Sequence, residues 1–437
     1  MKKQVITAKL KLNHSKEEKL QLDAFCLAYR DALNFASKIA FDNGKTSNKV
    51  KIQKLTYYKI REKFGLGAQT ACTVPREVGA QYKAQWTKLK KHNENKKKGF
   101  TKKRYKGLDK PIVYKSRTAL LQYNRDFSFN FKKNLASVQT LGKRIKIGFS
   151  GWNKHLDLLK TSKIGAANLI YDKNKQQYYL CVSIEIEAND LDLSKVKNVK
   201  GCDLGQRYLA VTQSNEKEVK FYSGKAVKHK SNQYSRKRKE LRAKDTKSAK
   251  RRLAKLSGKE RRFKQNVNHS LSKQILKEQC ILGLEDLTNI RDRTKRRKGK
   301  RASKKQRKSN ASSSKWAFAE LGTFLSYKAN LQGSLVIKVD ANYTSQMCIK
   351  CGHTSSNNRP NKGLNFICEC CGFKTHADRL GAMNILMRTL LVRQDLASTG
   401  RLSSCLFDVA SDEAKAERLR VFSELRWSEL QANELIR

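Results

Sequence analysis

The stretch Val199-Lys200-Gly201-Cys202-Asp203-Leu204-Gly205 reads as a short strand that ends on an acid and stops in a glycine turn. A second strand from Tyr208 to Gln213 and a third from Val219 to Tyr222 follow at short spacing, which predicts an antiparallel meander. Further along, the apolar run Cys280-Ile281-Leu282-Gly283-Leu284 suits a strand buried on both faces, and it too ends on an acid, Glu285. A helix over about 315–332 and a strand over 335–339 come next. A strand reached through a helical crossover should lie parallel to its partner.

Before this core, the period differs. Ile6, Ala8, Leu10 and Leu12 alternate with charge as in a half-buried strand, and Ser15-Lys16-Glu17-Glu18 then has capping-box form. Leu22, Phe25, Tyr29, Leu33 and Ala36 recur at helical spacing, and helix is expected through about Lys91, interrupted near Gly65 to Pro75. From about 113 to 187 the period returns to two: Phe127, Phe129 and Phe131, then Ile145, Ile147 and Phe149, then Leu180, Val182 and Ile184 against Tyr179, Cys181 and Ser183. The expected N-terminal half is thus a small β unit with inserted helices, closed by a polar linker from Ala188 to Lys197. The chain as a whole is read as a multidomain α+β protein.

Charge narrows the function. The 437 residues carry 95 Lys and Arg against 38 Asp and Glu, a formal +57, so a polyanionic partner is expected rather than a small neutral metabolite. Residues 225–264 hold 18 bases and three acids with too few apolar residues for a broad buried stripe, which predicts long charged helices; residues 291–308 hold 12 bases and read as a flexible basic loop. These two segments are the candidates for contact with a nucleic-acid backbone. Tyr57, Tyr58 and Tyr82 could stack on bases, although core roles fit them better. No signal-like start and no run of about 18 apolar residues is present, so a soluble cytoplasmic protein that stays off membranes is expected.

Five of the 11 cysteines fall between positions 348 and 371. Cys348-Ile349-Lys350-Cys351 and Cys368-Glu369-Cys370-Cys371 place two C-x-x-C pairs 16 residues apart, the spacing of a zinc ribbon with one thiolate pair on each knuckle. Gly352 and Gly372 follow the two pairs and can take the positive φ a knuckle needs. Cys348, Cys351, Cys368 and Cys371 are the preferred Zn²⁺ ligands because this choice gives both knuckles the same form; Cys370, His353 and His376 are the alternatives. Four protein ligands make such a site structural.

Asp203, Glu285 and Asp378 are the catalytic candidates, with the third opening the helix after the cysteine unit. Carboxylates gathered at one point repel unless cations bridge them, so a cluster of the three implies Mg²⁺ or Mn²⁺, and two such ions can cleave a phosphodiester. Each acid also has an ordinary reading: Asp203 as a turn residue, Glu285 as solvated beside Asp286, Asp378 as a helix cap.

These residues resemble a known family, the TnpB proteins of bacterial insertion sequences, ancestors of the compact type V CRISPR effectors. Asp203-Leu204-Gly205 with Leu209-Ala210-Val211 is similar to its first RuvC motif, Leu284-Glu285-Asp286-Leu287 to its second, and His376-Ala377-Asp378 with Asn384-Ile385-Leu386 to its third. Trp316, Phe318, Tyr327-Lys328-Ala329 and Tyr343-Thr344-Ser345-Gln346 also match, and the likeness spans about 196–388. Arg379-Leu380-Gly381 departs from it, since the family usually has small residues and an asparagine there.

The resemblance implies an RNase H-like RuvC domain at 196–347 and 373–392 with a zinc ribbon at 348–372. It further implies an N-terminal wedge β-barrel at 1–12 and 100–195 with recognition helices at 13–99. It implies an RNA-guided DNA endonuclease of prokaryotes in which Asp203, Glu285 and Asp378 hold two Mg²⁺ ions, with a guide RNA and target double-stranded DNA as partners and a short adjacent motif beside the target. Two other readings are a guided binder that blocks transcription without cutting and a zinc-ribbon RNA-binding scaffold. The remaining segment, 393–437, carries seven acids and five bases from Asp408 to Arg437, with Leu419, Phe422, Leu425 and Leu430 at amphipathic spacing. It is expected to pack on the basic body, or to bind a partner protein or a second copy of the chain.

Overall fold

The computed structural model describes residues 2–97, 99, 101–188, 196–287, 303, 307, 310, 318–360 and 363–399. Trp316, most of the basic segment 291–308 and the acidic tail from Asp408 lie outside them. The chain divides into two compact units, Val5–Ile186 and the remainder.

In the N-terminal unit, β1 (Lys2–Asn13) leads to α1 (Lys16–Asp42), α2 (Lys49–Phe64) and α3 (Ala68–Lys97) before β2 (Thr118–Leu121), β3 (Phe127–Asn130), β4 (Leu135–Val138), β5 (Ile145–Ser150), α4 (Asn153–Thr161), β6 (Lys163–Asp172) and β7 (Gln177–Ala188). The helices are an insertion between strands, and the seven strands form one sheet in the order β2-β6-β7-β1-β5-β4-β3. An isolated bridge from Tyr123, just after β2, to Phe127 in β3 joins the two edges at one point, so the sheet comes close to a barrel.

Ser15 caps α1 reciprocally: Glu18 N–H donates to its hydroxyl at 3.1 Å and its own N–H donates to Glu18 at 2.7 Å. The alternation read in β1 and β7 is real, with Ala8, Leu10, Leu12, Leu180, Val182 and Ile184 fully buried in one core with Leu22, Phe25 and Tyr29 of α1. Tyr82 is buried, while Tyr58 is 79% exposed.

Two expectations for this unit need correction. The break near 65–75 is confined to Gly65–Gly67, with Gly65 at φ +63 closing α2, and Pro75 sits inside α3. The helix tolerates its missing N–H because the buried neighbours Val74 and Val78 pack into the core. Also, α4 went unread inside the β stretch, because one short turn-bounded helix with a single buried residue, Leu159, leaves little periodic signal.

The C-terminal unit holds β8 (Val199–Asp203), β9 (Tyr208–Ser214), β10 (Val219–Ser223), α5 (Lys225–Lys244), α6 (Lys247–Leu256), α7 (Lys259–Ile275), β11 (Ile281–Glu285), α8 (Phe318–Leu331), β12 (Leu335–Val339), β13 (Asn365–Ile367), β14 (Lys374–His376) and α9 (Ala377–Thr399). The sheet order is β10-β9-β8-β11-β12, antiparallel through the meander and parallel across β8, β11 and β12. Cys202, Leu282 and Leu284 pack with Leu271, Leu321 and Leu325 of α7 and α8, while Val199 and Ile281 pack with Ile385 and Leu390 of α9.

Alternation therefore assigns the faces: odd-numbered residues of β8 and β11 point to α9. Two of these are glycines, and they let α9 lie directly on the sheet. A Cβ on Gly201 would stand 2.2 Å from the Ala382 carbonyl oxygen, and one on Gly283 would overlap the Thr389 hydroxyl.

α9 runs on to Thr399, so the expected boundary at 393 falls inside a helix. The β13–β14 hairpin likewise carries the cysteine unit past 372 to His376. Among the described residues, no helix is long and apolar enough to cross a membrane.

Candidate active site and metal centre

Asp203 and Glu285 are the last residues of adjacent parallel strands, whose register pairs Cys202 with Leu284. Both have the odd parity that faces α9. Asp378 is the second residue of α9, where the positive end of the helix dipole favours a carboxylate. The sheet and one helix thus bring together three acids separated by 82 and 93 positions in sequence.

The electrostatics record this convergence. Burial first, then the negative charges of Glu285 and Asp378, push the Asp203 carboxyl well above the ordinary carboxylate range, while Arg359 opposes the rise. Burial and Asp340 raise Glu285, against the Thr344 hydroxyl and the Arg388 guanidinium, which favour its ionised form. Asp203 lies so close to α9 that a Cβ at Gly381 would come within 3.0 Å of its Oδ2. The missing side chain of Gly381 leaves room for that carboxylate.

Three buried side chains support the acids; Thr344 and Asn384 lie in stretches that carry the resemblance, though without a role read for them, and Arg388 was not singled out from the sequence. Thr344 donates to Glu285 Oε1 at 2.5 Å. Asn384 donates to the carbonyls of Thr344 at 2.7 Å and Met347 at 2.9 Å. Arg388, only 1% exposed, donates to the carbonyls of Asp340 and Asn342. Their signal was present in part: an arginine among Ile385, Leu386, Met387 and Leu390 is costly to bury and needs a partner.

The cysteine unit is built on two knuckles. Cys348 N–H donates to the His353 carbonyl and Cys368 N–H to the Phe373 carbonyl, both at 2.9 Å, with Gly352 and Gly372 at φ +74 and +68. The Sγ atoms of Cys348, Cys351, Cys368 and Cys371 all lie within 4.8 Å of one another, and Cys370, His353 and His376 fall outside this group. Cys348 and Cys371 sulfurs are 3.6 Å apart and those of Cys351 and Cys368 3.5 Å. A tetrahedral zinc with bonds of about 2.3 Å sets sulfurs about 3.8 Å apart, so the donor set fits that ion. The thiols cannot all ionise unaided. Burial pushes Cys348 up to about 11, whereas at Cys371 the Phe373 amide and the neighbouring thiols overcome burial and pull it down to about 7. The buried Asn358 ties the knuckles together, donating to the carbonyls of Gln346 and His353 and accepting from Glu369 N–H.

Among the described residues, the four cysteines are the only group of three or more ligand-type side chains drawn tightly enough to hold a metal ion as they stand. The acid site still suits hard cations, with buried oxygen donors whose mutual repulsion a divalent ion would relieve.

Comparison with known proteins agrees with this layout. A family model described as "Cas12f1-like, TNB domain" matches residues 318–385, and one described as "Probable transposase" matches residues 180–297. The chain is related to the TnpB proteins and the compact type V effectors. It is 31% identical to a CRISPR-associated endodeoxyribonuclease Cas12f1 of Sulfoacidibacillus thermotolerans over 243 residues, 51% of this chain and 53% of that protein. It is 29% identical to a TnpB-like protein of Methanocaldococcus jannaschii over 33% of this chain and 49% of the other. The chain thus spans about half the length of these curated relatives. In fold, the chain resembles the protein in a Cas12f1-sgRNA-target DNA complex, with a TM-score of 0.53, 16% identity and coverage of 84% of this chain and 81% of that one.

Proposed function

We propose that the chain is an RNA-guided DNA endonuclease that cuts target DNA beside a short adjacent motif. The C-terminal unit is read as an RNase H-like RuvC domain carrying a zinc ribbon, and the N-terminal near-barrel with its inserted helices as the wedge and recognition regions. The observation that carries this reading is the delivery of Asp203, Glu285 and Asp378 to one end of one sheet in a chain of charge +57. Relatives bear names for RNA-guided or CRISPR-associated cutting of DNA, and a structural neighbour is a complex with guide RNA and target DNA.

Asp203, Glu285 and Asp378 would hold two Mg²⁺ or Mn²⁺ ions, and Cys348, Cys351, Cys368 and Cys371 one Zn²⁺. Bound divalent ions supply an activated water and a stabilised leaving oxygen for phosphodiester hydrolysis. The chain's own part is to fix the acids: two by a parallel ladder, the third by a helix N-terminus. The basic helices α5 to α7 grip backbone phosphates of a guide–target hybrid, whose base pairing selects the sequence. In the N-terminal unit, a cavity of about 550 Å³ lined by Lys19, Arg30, Lys115, Arg117 and Lys173 against the single acid Asp23 offers a further anion contact.

The test is cleavage of a plasmid matched to the RNA that copurifies with the protein. With Mg²⁺ the wild-type chain linearises it, and Asp203→Ala binds it without cutting. A second reading, guided binding without cleavage, draws on the three acids not being drawn into a tight ligand group as the four cysteines are; an intact plasmid held by the wild-type complex would favour it.

A further inference from the structure

Between the end of β12 and Cys348 the chain makes a turn over residues 340–347, and α9 grips it at both ends. Arg388 holds the carbonyls of Asp340 and Asn342. Asn384, fully buried one turn earlier on α9, spends both amide hydrogens on the carbonyls of Thr344 and Met347. Tyr343 between them takes φ +59, a left-handed conformation that a bulky residue adopts only when its surroundings dictate it. Met347 immediately precedes Cys348, whose N–H closes the first knuckle on His353.

The side chain this turn presents is Thr344, 4% exposed, with its hydroxyl on Glu285 Oε1. The Ala341 carbonyl is a second acceptor at 3.3 Å, so the single hydroxyl proton goes to the nearer carboxylate. A glutamate at a strand end has three rotatable bonds, and holding one oxygen fixes the plane in which the other is offered.

We propose that Thr344 is a positioning residue that orients Glu285 toward its cation, and that the folded cysteine knuckle, by anchoring the 340–347 turn, holds Thr344 in place. The cysteine unit would then bias the acid site from a distance. Thr344 has this role only if Glu285 holds a cation, as proposed above.

Thr344→Val removes the hydroxyl and keeps the branched shape, whereas Thr344→Ser keeps the hydroxyl. The measurements are zinc content of the purified protein, Mn²⁺ affinity by electron paramagnetic resonance and the cleavage rate. Thr344→Val is expected to retain its zinc while Mn²⁺ affinity and the rate at limiting Mn²⁺ fall by about 10–100-fold, the range typical of partners that orient metal ligands. Thr344→Ser should stay within about threefold of wild type. Stripping zinc from the wild type should weaken Mn²⁺ binding comparably and add little in Thr344→Val. Unchanged Mn²⁺ affinity in Thr344→Val, alongside its loss in Asp203→Ala, overturns the positioning role and leaves the acid site standing. Unchanged affinity in both overturns the acid site itself. Equal losses in the Val and Ser variants assign the effect to packing and overturn the role of the hydroxyl.

Discussion

Replacing Gly201 by alanine should damage both stability and cleavage, because α9 rests on the bare backbone of β8. The added Cβ would lie 2.2 Å from the Ala382 carbonyl oxygen and 2.3 Å from the Leu386 nitrogen, whereas ordinary contact begins at 3.4 Å. Neither neighbour is the end of a flexible side chain, so the helix must withdraw by about 1.2 Å. Overpacking of this kind costs about 1–3 kcal/mol. The same withdrawal separates Asp378 on α9 from Asp203 on β8, and a misplacement of about 1 Å at a catalytic centre costs about 100-fold in rate. Gly322→Ala is the matched control: it lies inside α8 with no neighbour within 4 Å, and alanine should stabilise it by about 0.5–1 kcal/mol through helix propensity. The assay is the midpoint of guanidinium unfolding, followed by cleavage rates of the folded variants. Opposite shifts in the two variants are expected. A Gly201→Ala protein with wild-type midpoint and rate would refute the seating of α9 on β8.

Cys371→Ser should lose most of its bound zinc, while Cys370→Ser should keep a full complement, as read by metal analysis of the purified proteins; the reverse result would reassign the second knuckle. Asn358→Ala leaves the Gln346 carbonyl and the Glu369 N–H without their partner, removes one of the two donors to the His353 carbonyl, and should weaken zinc binding by about 10–100-fold in a chelator competition. Burial alone would raise the Asp23 carboxyl, but hydrogen bonds from Lys19, Tyr178 and Arg117 outweigh it and hold the carboxyl below its usual value. A depressed carboxyl stabilises the fold above its unfolded value of about 4 and loses that contribution as pH falls through the folded one. Asp23→Asn should therefore be destabilised by about 1–3 kcal/mol at pH 7, with the gap to wild type closing below about pH 4 in denaturation at each pH.

Much of the C-terminal unit was legible because its signals are local. The apolar run Cys280–Leu284 suits a strand buried on both faces, and a helix crossover before 335–339 favours the parallel pairing seen with β11. The cysteine spacing and the glycines after each pair likewise point to the knuckles directly. How the acids are supported was not legible: Thr344 and Asn384 stand in stretches that match the family, but their contacts, like those of Arg388, run through a hydroxyl and backbone carbonyls that the sequence does not place. Pro75 misled for a related reason: its local preference to end a helix lost to the packing of Val74 and Val78. The tail from Asp408 and the basic segment 291–308, apart from Ser303 and Arg307, lie outside the described residues, so their proposed contacts rest on composition.

The most direct measurement is an anomalous-scattering map at the manganese edge from the protein–nucleic acid complex. The predicted result is manganese coordinated by Asp203 and Glu285 at about 2 Å, with Asp378 completing the site. Manganese bound elsewhere, with those three side chains turned from one another, would contradict the account.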